Sequence, residues 1–284
     1  MKPKVCVLRT DGTNCDRETA YAFNLVGGDA EIVHINSLKK RYDPVKGKEI
    51  NLDDYQILAL PGGFSHGDYI AAGKVLAEDL RDSLGDEISK FFLDEKLIIG
   101  ICNGFQVLVK AGFLPMTDGL KQNATLTYND SNRFEDRWIK LVSPENKCIW
   151  TKGINEICLP VAHGEGKFIA SEEIRKKLFE QGLVVYQYAD SEGKPTMNFP
   201  ENPNGSLDAI AGICDPTGRI FGLMPHPERY NNLRNYNLFT LQDILNRNYI
   251  DKNNPLVAER LKLISNPKEA PGLEIFRNGI RYFK

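Results

Sequence analysis

The sequence lacks the features that mark several large classes of protein. Nowhere in its 284 residues does an apolar run approach the roughly 20 residues that cross a bilayer, and the N-terminal segment has no apolar core of signal-peptide length. Lys and Arg total 36 against 38 Asp and Glu, so the formal net charge is only −2. This balance favours neither nucleic acid nor an anionic membrane as a partner. We therefore expect a cytoplasmic protein.

Motifs for metal and nucleotide binding are also missing. The six cysteines include no C-x-x-C pair, so their spacing predicts neither a zinc site nor a disulfide scaffold. We expect no metal and no other cofactor in this chain. The G-x-x-x-x-G-K-[ST] phosphate loop is absent as well, so ATP binding by that motif is not indicated.

The first 111 residues alternate short β-type runs with helical stretches. We predict strands at 4–8, 31–35, 57–60 and 97–101, and helices at 17–26, 71–92 and 103–111. Compact apolar strands that alternate with helices indicate an α/β fold with a parallel sheet covered on both faces. Ligands of such sheets bind beyond the carboxyl ends of the strands.

After residue 115 the pattern changes to β-type runs separated by polar turns. These runs lie at 124–128, 138–142, 156–161, 183–188, 209–214 and 220–224. They predict an antiparallel part that extends or caps the first sheet. We expect one domain over residues 1–249, with a charged surface loop at 39–54. A C-terminal helical extension would occupy residues 250–284, and tail helices are predicted near 235–246 and 256–263.

The most informative segment surrounds Cys102. An apolar strand runs into Gly100-Ile-Cys102-Asn-Gly104, and a predicted helix begins at once. This is the G-x-nucleophile-x-G pattern, in which small flanking residues allow a strained turn. The sulfur then lies at a helix N-terminus, which favours the thiolate, and the Asn103 N–H can donate to an oxyanion. A buried cysteine that merely ends a strand would not need both glycines, so we interpret Cys102 as a nucleophile.

A thiolate nucleophile needs an imidazole base, and the chain has only four histidines. His34 falls inside a predicted strand and is interpreted as a core or edge residue. His226 stands in Pro-His-Pro-Glu, just past the last predicted strand, and the prolines favour an extended backbone. Residues i and i+2 of an extended chain project to the same side, so we expect Glu228 to reach the His226 imidazole.

These residues resemble a known family. GICNGFQ around Cys102 and PHPE at 225–228 are similar to the signature of class I glutamine amidotransferases. Further similar segments are DGTNCD at 11–16, PGGFSHGD at 61–68, NDSNRF at 129–134, PVAHGEG at 160–166 and NPNGS at 202–206. The form PGGFSxGD, with AHGEG and NPNGS, resembles the members that serve purine biosynthesis. The resemblance implies a flavodoxin-like three-layer fold with a mixed, mostly parallel sheet.

The resemblance also implies residue roles. Cys102 would be the nucleophile, His226 the general base and then acid, and Glu228 its orienting partner. Gly63 and Asn103 would offer oxyanion N–H groups. Glutamine would be held by Gln106 and by the backbone of Gly164 and Glu165. His163 would line the pocket, and His66 would lie on its rim with no assigned role.

The reaction that this family resemblance implies is glutamine hydrolysis with transfer of ammonia. The partners would be a large ATP-dependent synthetase subunit, which holds ATP and magnesium, and a small bridging subunit. Two alternatives remain at this point. A stand-alone cysteine hydrolase or peptidase can share the elbow but not the Pro-His-Pro-Glu element, and a regulatory binding module would leave Cys102 unused.

Overall fold

A computed structural model of the chain describes residues 2–236 and 270–284. Thirteen strands are present in this described part: β1 (Lys4–Arg9), β2 (Asp29–His34), β3 (Tyr42–Asp43), β4 (Lys48–Glu49), β5 (Ile57–Leu60), β6 (Leu97–Ile101), β7 (Ala124–Thr127), β8 (Glu135–Val142), β9 (Glu156–His163), β10 (Lys167–Ala170), β11 (Val184–Ala189), β12 (Ile210–Cys214) and β13 (Ile220–Leu223). The α-helices described there are α1 (Asp16–Leu25), α2 (Ile35–Lys40), α3 (Lys74–Leu93), α4 (Asn103–Lys110), α5 (Glu172–Glu180) and α6 (Gly272–Arg281).

Nine of the strands form one mixed sheet in the order β2-β1-β5-β6-β13-β12-β11-β8-β9. The first five are mutually parallel, and every pairing from β13 to β9 is antiparallel. The predicted α/β class, with a parallel sheet and an antiparallel extension, is therefore confirmed. The centre of the sheet is apolar throughout, because β5, β6, β12 and β13 are buried at every position, as strands covered on both faces must be.

The prediction of a loop at residues 39–54 was wrong, and several elements were not predicted. Residues 39–54 are not a plain loop, because they contain the β3–β4 hairpin and a short 3-10 helix, Leu52–Asp54. Helix α5 and strand β10 were not predicted. Helix α5 begins at a side-chain cap, since Ser171 Oγ accepts from the Ile174 N–H.

Helix α6 was also missed, and it is part of the core. Phe276 packs edge-to-face on Phe23 of α1, with ring centroids 4.9 Å apart. The Asn278 amide donates to the Trp150 and Lys152 carbonyls at 3.0 and 2.9 Å. The end of the predicted C-terminal extension thus packs on the first domain. The predicted boundary at residue 249 and the tail helix near 256–263 lie outside the described residues, as does nearly all of the one near 235–246.

None of the helices in residues 2–236 and 270–284 combines the length and the apolar character that a membrane crossing requires.

Candidate active site

The turn between β6 and α4 holds Cys102 in a strained conformation. Its φ and ψ are 52° and −105°, far from the common regions for a non-glycine residue. The glycines beside it are required by close packing: a Cβ on Gly104 would lie 1.9 Å from the Leu60 carbonyl oxygen, and one on Gly100 would lie 2.6 Å from that of Gly104. The turn is anchored to β13, because the Cys102 N–H donates to the Leu223 carbonyl at 2.8 Å.

His226 and Glu228 form a buried pair just past β13. His226 Nδ1 and Glu228 Oε1 are 2.5 Å apart, and the residues are 1% and 0% exposed. The contact was predicted, but the backbone reason was wrong: residues Pro227–Arg229 form a 3-10 turn instead of an extended segment. Burial opposes protonation of the imidazole, but the Glu228 carboxylate and the Cys102 thiol outweigh it and raise the pKa of His226 well above its ordinary value.

The sheet order brings Cys102 and His226 to one point. Strands β6 and β13 are parallel neighbours, so the segments that follow them start side by side. Gly62, just past β5, faces both residues: a Cβ on Gly62 would lie 2.7 Å from His226 Cε1 and 3.4 Å from Cys102 Cβ. Only glycine fits there. The proximity that the nucleophile and base require is therefore present.

The two predicted oxyanion residues, Gly63 and Asn103, directly follow Gly62 and Cys102 in the chain. Gly63 has a φ of 148° and a Cβ there would lie 2.8 Å from the Asn14 backbone nitrogen. Asn103 follows Cys102 at the start of α4, and its side chain is buried. Its amide oxygen accepts from the Ser65 N–H at 3.1 Å. Asn103 therefore ties the glycine-rich loop after β5 to the nucleophile turn.

The predicted glutamine-binding residues lie beside Asn103. The Gln106 amide donates to the Glu165 carbonyl, and its oxygen accepts from Asn103 Nδ2 at 2.9 Å. Gly164 lies in open surroundings, since a Cβ there would meet nothing within 4 Å. Gln106 thus holds the Gly164-Glu165 turn against α4, the helix that begins directly after Cys102.

Sequence reasoning missed Asp68 and Lys110, two of the residues that brace this side. Asp68 accepts from Asn103 Nδ2 at 3.0 Å, and the Glu165 carboxylate accepts from the Ala72 N–H at 3.2 Å. Lys110 Nζ is buried, 3.7 Å from Glu165 Oε2 and 2.6 Å from the Ala72 carbonyl. We call the set of bonded side chains the support network: Asp68, Asn103, Gln106, Lys110 and Glu165.

The remaining histidines are bonded to other partners. His163 is fully buried, bonded through Nδ1 to Asn129 Oδ1 at 3.1 Å, and burial and the nearby His226 lower its pKa to about 3. It is therefore neutral, as a pocket-wall residue would be. His66 Nε2 lies 3.2 Å from Thr10 Oγ1. His34 ends β2, and its Nδ1 accepts from the Asn36 N–H to cap α2.

A second thiol, that of Cys15, lies beside the pair, and no role was predicted for it. Cys15 caps the start of α1, and its Sγ would lie 3.1 Å from a Cβ on Gly62, on the side that faces His226. Arg229 donates to Cys15 Sγ at 3.1 Å and pairs with Glu18 at 3.0 Å. Burial raises the pKa of the Cys15 thiol, against the opposing effect of His226. The only signal was the DGTNCD segment, which follows β1 at the carboxyl edge of the sheet.

This arrangement can perform acyl transfer. A sulfur at a helix N-terminus, an imidazole with a buried carboxylate behind it and backbone N–H groups nearby are the parts that such chemistry uses. Cys102 is 5% exposed, so the reacting atoms are shielded from bulk water. Charge–charge and hydrogen-bond interactions are stronger in such a shielded site than in water.

Comparison with protein-family models shows that residues 2–283 match a CobB/CobQ-like glutamine amidotransferase domain. A curated relative, the phosphoribosylformylglycinamidine synthase subunit PurQ of Dehalococcoides mccartyi, is 53% identical over 232 residues, which cover 81% of this chain and 86% of the relative. The PurQ subunit of Methanococcus maripaludis strain S2 is 42% identical over 284 residues, covering 99% and 97%.

Two solved structures are also similar to this chain. The structure of PurLQS from Thermotoga maritima matches with a TM-score of 0.67 and 29% identity, over all of both chains. Another glutamine amidotransferase from Thermotoga maritima matches with a TM-score of 0.51 and 17% identity, covering 99% and 98%, which bears on the fold alone.

Proposed function

Since this chain belongs to the family of glutamine amidotransferases that form the PurQ subunit of phosphoribosylformylglycinamidine synthase, we propose that Cys102, His226 and Glu228 are the residues with which it hydrolyses glutamine. The observation that supports this most strongly is the convergence of Cys102 and His226 around Gly62, with Glu228 Oε1 2.5 Å behind the imidazole. The two segments are more than a hundred residues apart in the chain.

The first half-reaction forms a thioester. The Cys102 thiolate attacks the side-chain amide carbon of glutamine, and the amide oxygen becomes an oxyanion. The N–H groups of Gly63 and Asn103 stabilise that oxyanion, a contribution of about 10²- to 10³-fold per donor in comparable sites. His226, whose raised pKa favours the imidazolium, gives its proton to the amide nitrogen. The C–N bond breaks and ammonia leaves.

The second half-reaction releases glutamate. Neutral His226 takes a proton from water, and the hydroxide attacks the thioester carbon. The C–S bond breaks, glutamate leaves and the thiolate and imidazolium are restored. Glu228 keeps the ring oriented throughout. This chemistry balances without a metal or cofactor from this chain, so we propose that none is required.

The ammonia is then used as a substrate by a synthetase subunit. The solved neighbour is named as a PurLQS complex, so we propose that this chain works with a large PurL-type synthetase subunit and a small PurS-type bridging subunit, in the cytoplasm. ATP and magnesium would bind to the large subunit. Direct transfer has a physical motive, because ammonia released into neutral water becomes ammonium, which is not nucleophilic.

The test is Cys102→Ala in the reconstituted complex. We expect glutamine-dependent synthesis to be lost while synthesis from added ammonia is kept, because the synthetase site is on another subunit. Cys158→Ala, on β9, is the matched control and should keep both activities. Loss of ammonia-dependent synthesis in Cys102→Ala would contradict the division of labour.

A further inference from the structure

A group of possible metal ligands is buried within the candidate active site. One ligand atom from each of Cys15, His226 and Glu228 lies within 4.8 Å of the other two, and all three residues are buried. Tetrahedral zinc with bonds of about 2.0–2.3 Å needs ligand atoms about 3.3–3.5 Å apart. Side-chain movements of about an ångström would therefore bring the three residues around one ion, and the His226–Glu228 contact of 2.5 Å would open to admit it.

Two of the three side chains have unused binding capacity. His226 Nε2 and Glu228 Oε2 are buried and have no hydrogen-bond partner among the described residues. Buried polar atoms without partners are uncommon in folded proteins. Proton transfer explains why Nε2 is kept free, since it must exchange protons with Cys102 and water. It does not explain the free carboxylate oxygen, which can bind a cation.

We propose that Cys15, His226 and Glu228 form an inhibitory zinc site. One sulfur, one imidazole nitrogen and one carboxylate oxygen are the donors that zinc prefers, whereas magnesium and calcium prefer oxygen ligands alone. Three protein ligands leave a fourth position open for water.

The surrounding charges suit a divalent cation. Zinc carries +2, and the Cys15 thiolate and Glu228 carboxylate carry −1 each. The Arg229 guanidinium beside Cys15 is balanced by Glu18, 3.0 Å away. On binding, the Cys15 thiol loses its proton to solvent, and the His226 imidazolium gives its proton to the Cys102 thiolate. The occupied site is then neutral, which suits a buried location.

The consequence is inhibition of the proposed reaction. An imidazole that binds zinc cannot accept a proton from water, and a Glu228 that binds zinc no longer orients the ring. This zinc would not be a cofactor, because it occupies the base that the reaction needs. C-x-x-C spacing could not have revealed the site, since Cys15 and His226 follow different strands.

The test measures binding directly, without relying on glutamine hydrolysis. The metal-free chain is titrated with Zn²⁺ against a chromogenic chelator, and with Co²⁺, whose sulfur-to-metal charge-transfer band reports a thiolate ligand. We expect one ion per chain. Cys15→Ser, which keeps the side-chain size, should weaken zinc binding at least about tenfold and abolish the charge-transfer band. Cys158→Ser is the matched control and should leave both unchanged.

A second measurement needs no variant. X-ray absorption at the zinc edge of the wild-type chain should show a sulfur ligand at about 2.3 Å. A shell of nitrogen and oxygen alone, the absence of binding at micromolar zinc, or unchanged binding in Cys15→Ser would overturn the proposal. Each of these results is independent of whether Cys102 hydrolyses glutamine, so failure of the zinc site and failure of the proposed function are distinguishable.

Discussion

Two buried polar clusters lie beside Cys102, and they differ in how completely their atoms are bonded. In the support network, Asn103 and Gln106 use both ends of their amides within the protein. In the proposed triad of Cys102, His226 and Glu228, the atoms His226 Nε2 and Glu228 Oε2 have no hydrogen-bond partner among the described residues. The bonded cluster fixes the backbone of the glycine-rich loop and of the 164–165 turn, and the under-bonded cluster leaves His226 Nε2 free to exchange protons.

The difference shows how one site combines rigidity with reactivity. A satisfied buried network holds a single geometry, because any displaced member leaves a buried polar group without a partner. Catalytic groups must instead retain free positions for protons and substrate atoms. If this interpretation is right, changes in the triad should reduce rate more than stability, and changes in the support network should do the reverse.

The largest expected effect is that of His226→Ala. Removing the proton carrier should lower kcat for glutamine hydrolysis by about 10²- to 10⁴-fold. It also leaves the buried Glu228 carboxylate without its partner and so lowers the free energy of unfolding. Glu228→Gln, which leaves no such charge, is therefore the variant in which kcat should fall with little change in stability. Steady-state kinetics of the complex and urea denaturation of the chain measure the two quantities.

Glu228→Gln serves as the comparison variant for His226→Ala. It disturbs ring orientation but leaves the proton carrier, so its loss of kcat should be smaller by about tenfold or more. Equal losses in the two variants would contradict the assigned roles.

The next effect concerns Lys110→Met, which breaks the support network. Glu165 would lose its only nearby cation among the described side chains, and a buried charge left without a partner destabilises by about 3–5 kcal/mol. Because Glu165 is about 12% exposed, we expect the lower end of that range, measured by urea denaturation.

Glutamine turnover by folded Lys110→Met should fall by less than that of His226→Ala. Lys90→Met on the exposed end of α3 is the matched control and should change stability by under about 0.5 kcal/mol. A Lys110→Met protein with normal stability and no turnover would contradict the expectation that the support network affects stability more than rate.

The smallest expected effect is the pH dependence contributed by His163. Its native pKa is about 3, whereas an unfolded histidine binds a proton near pH 6.5. Between these values the unfolded chain binds more protons, so stability falls as pH falls, by about 1.4 kcal/mol per pH unit. Relative to His163→Gln, the wild type should lose about 2 kcal/mol between pH 7.5 and 5.0. Parallel pH profiles would show that His163 does not contribute.

The part of the site that could be predicted is the part encoded by neighbouring residues. Gly100-x-Cys102-x-Gly104 specifies the strained turn locally, and the His226–Glu228 pair is two residues apart. The extended-backbone argument for that pair was nevertheless wrong, because a 3-10 turn makes the same contact. Cys15 could not be placed, since its approach depends on β1, β5, β6 and β13 being neighbours, and the sequence does not state strand order.

The missed helix α6 had a readable signal. Leu273, Phe276 and Ile280 recur at helical spacing and are buried. The two helices predicted near 235–246 and 256–263 stop short of this segment, although it lies within the predicted helical extension. The packing of Phe276 on Phe23 is a tertiary contact between the two ends of the chain, so only the fold reveals that this tail belongs to the core.

The most direct test of the central claim is labelling with an electrophilic glutamine analogue, followed by peptide mass spectrometry of the chain in its complex. Two thiols, Cys102 and Cys15, lie beside His226, so the site of modification discriminates between them. We predict one adduct, on Cys102, that forms more slowly in His226→Ala and is absent in Cys102→Ser. An adduct on Cys15 with Cys102 unmodified would show that the strained turn does not carry the nucleophile.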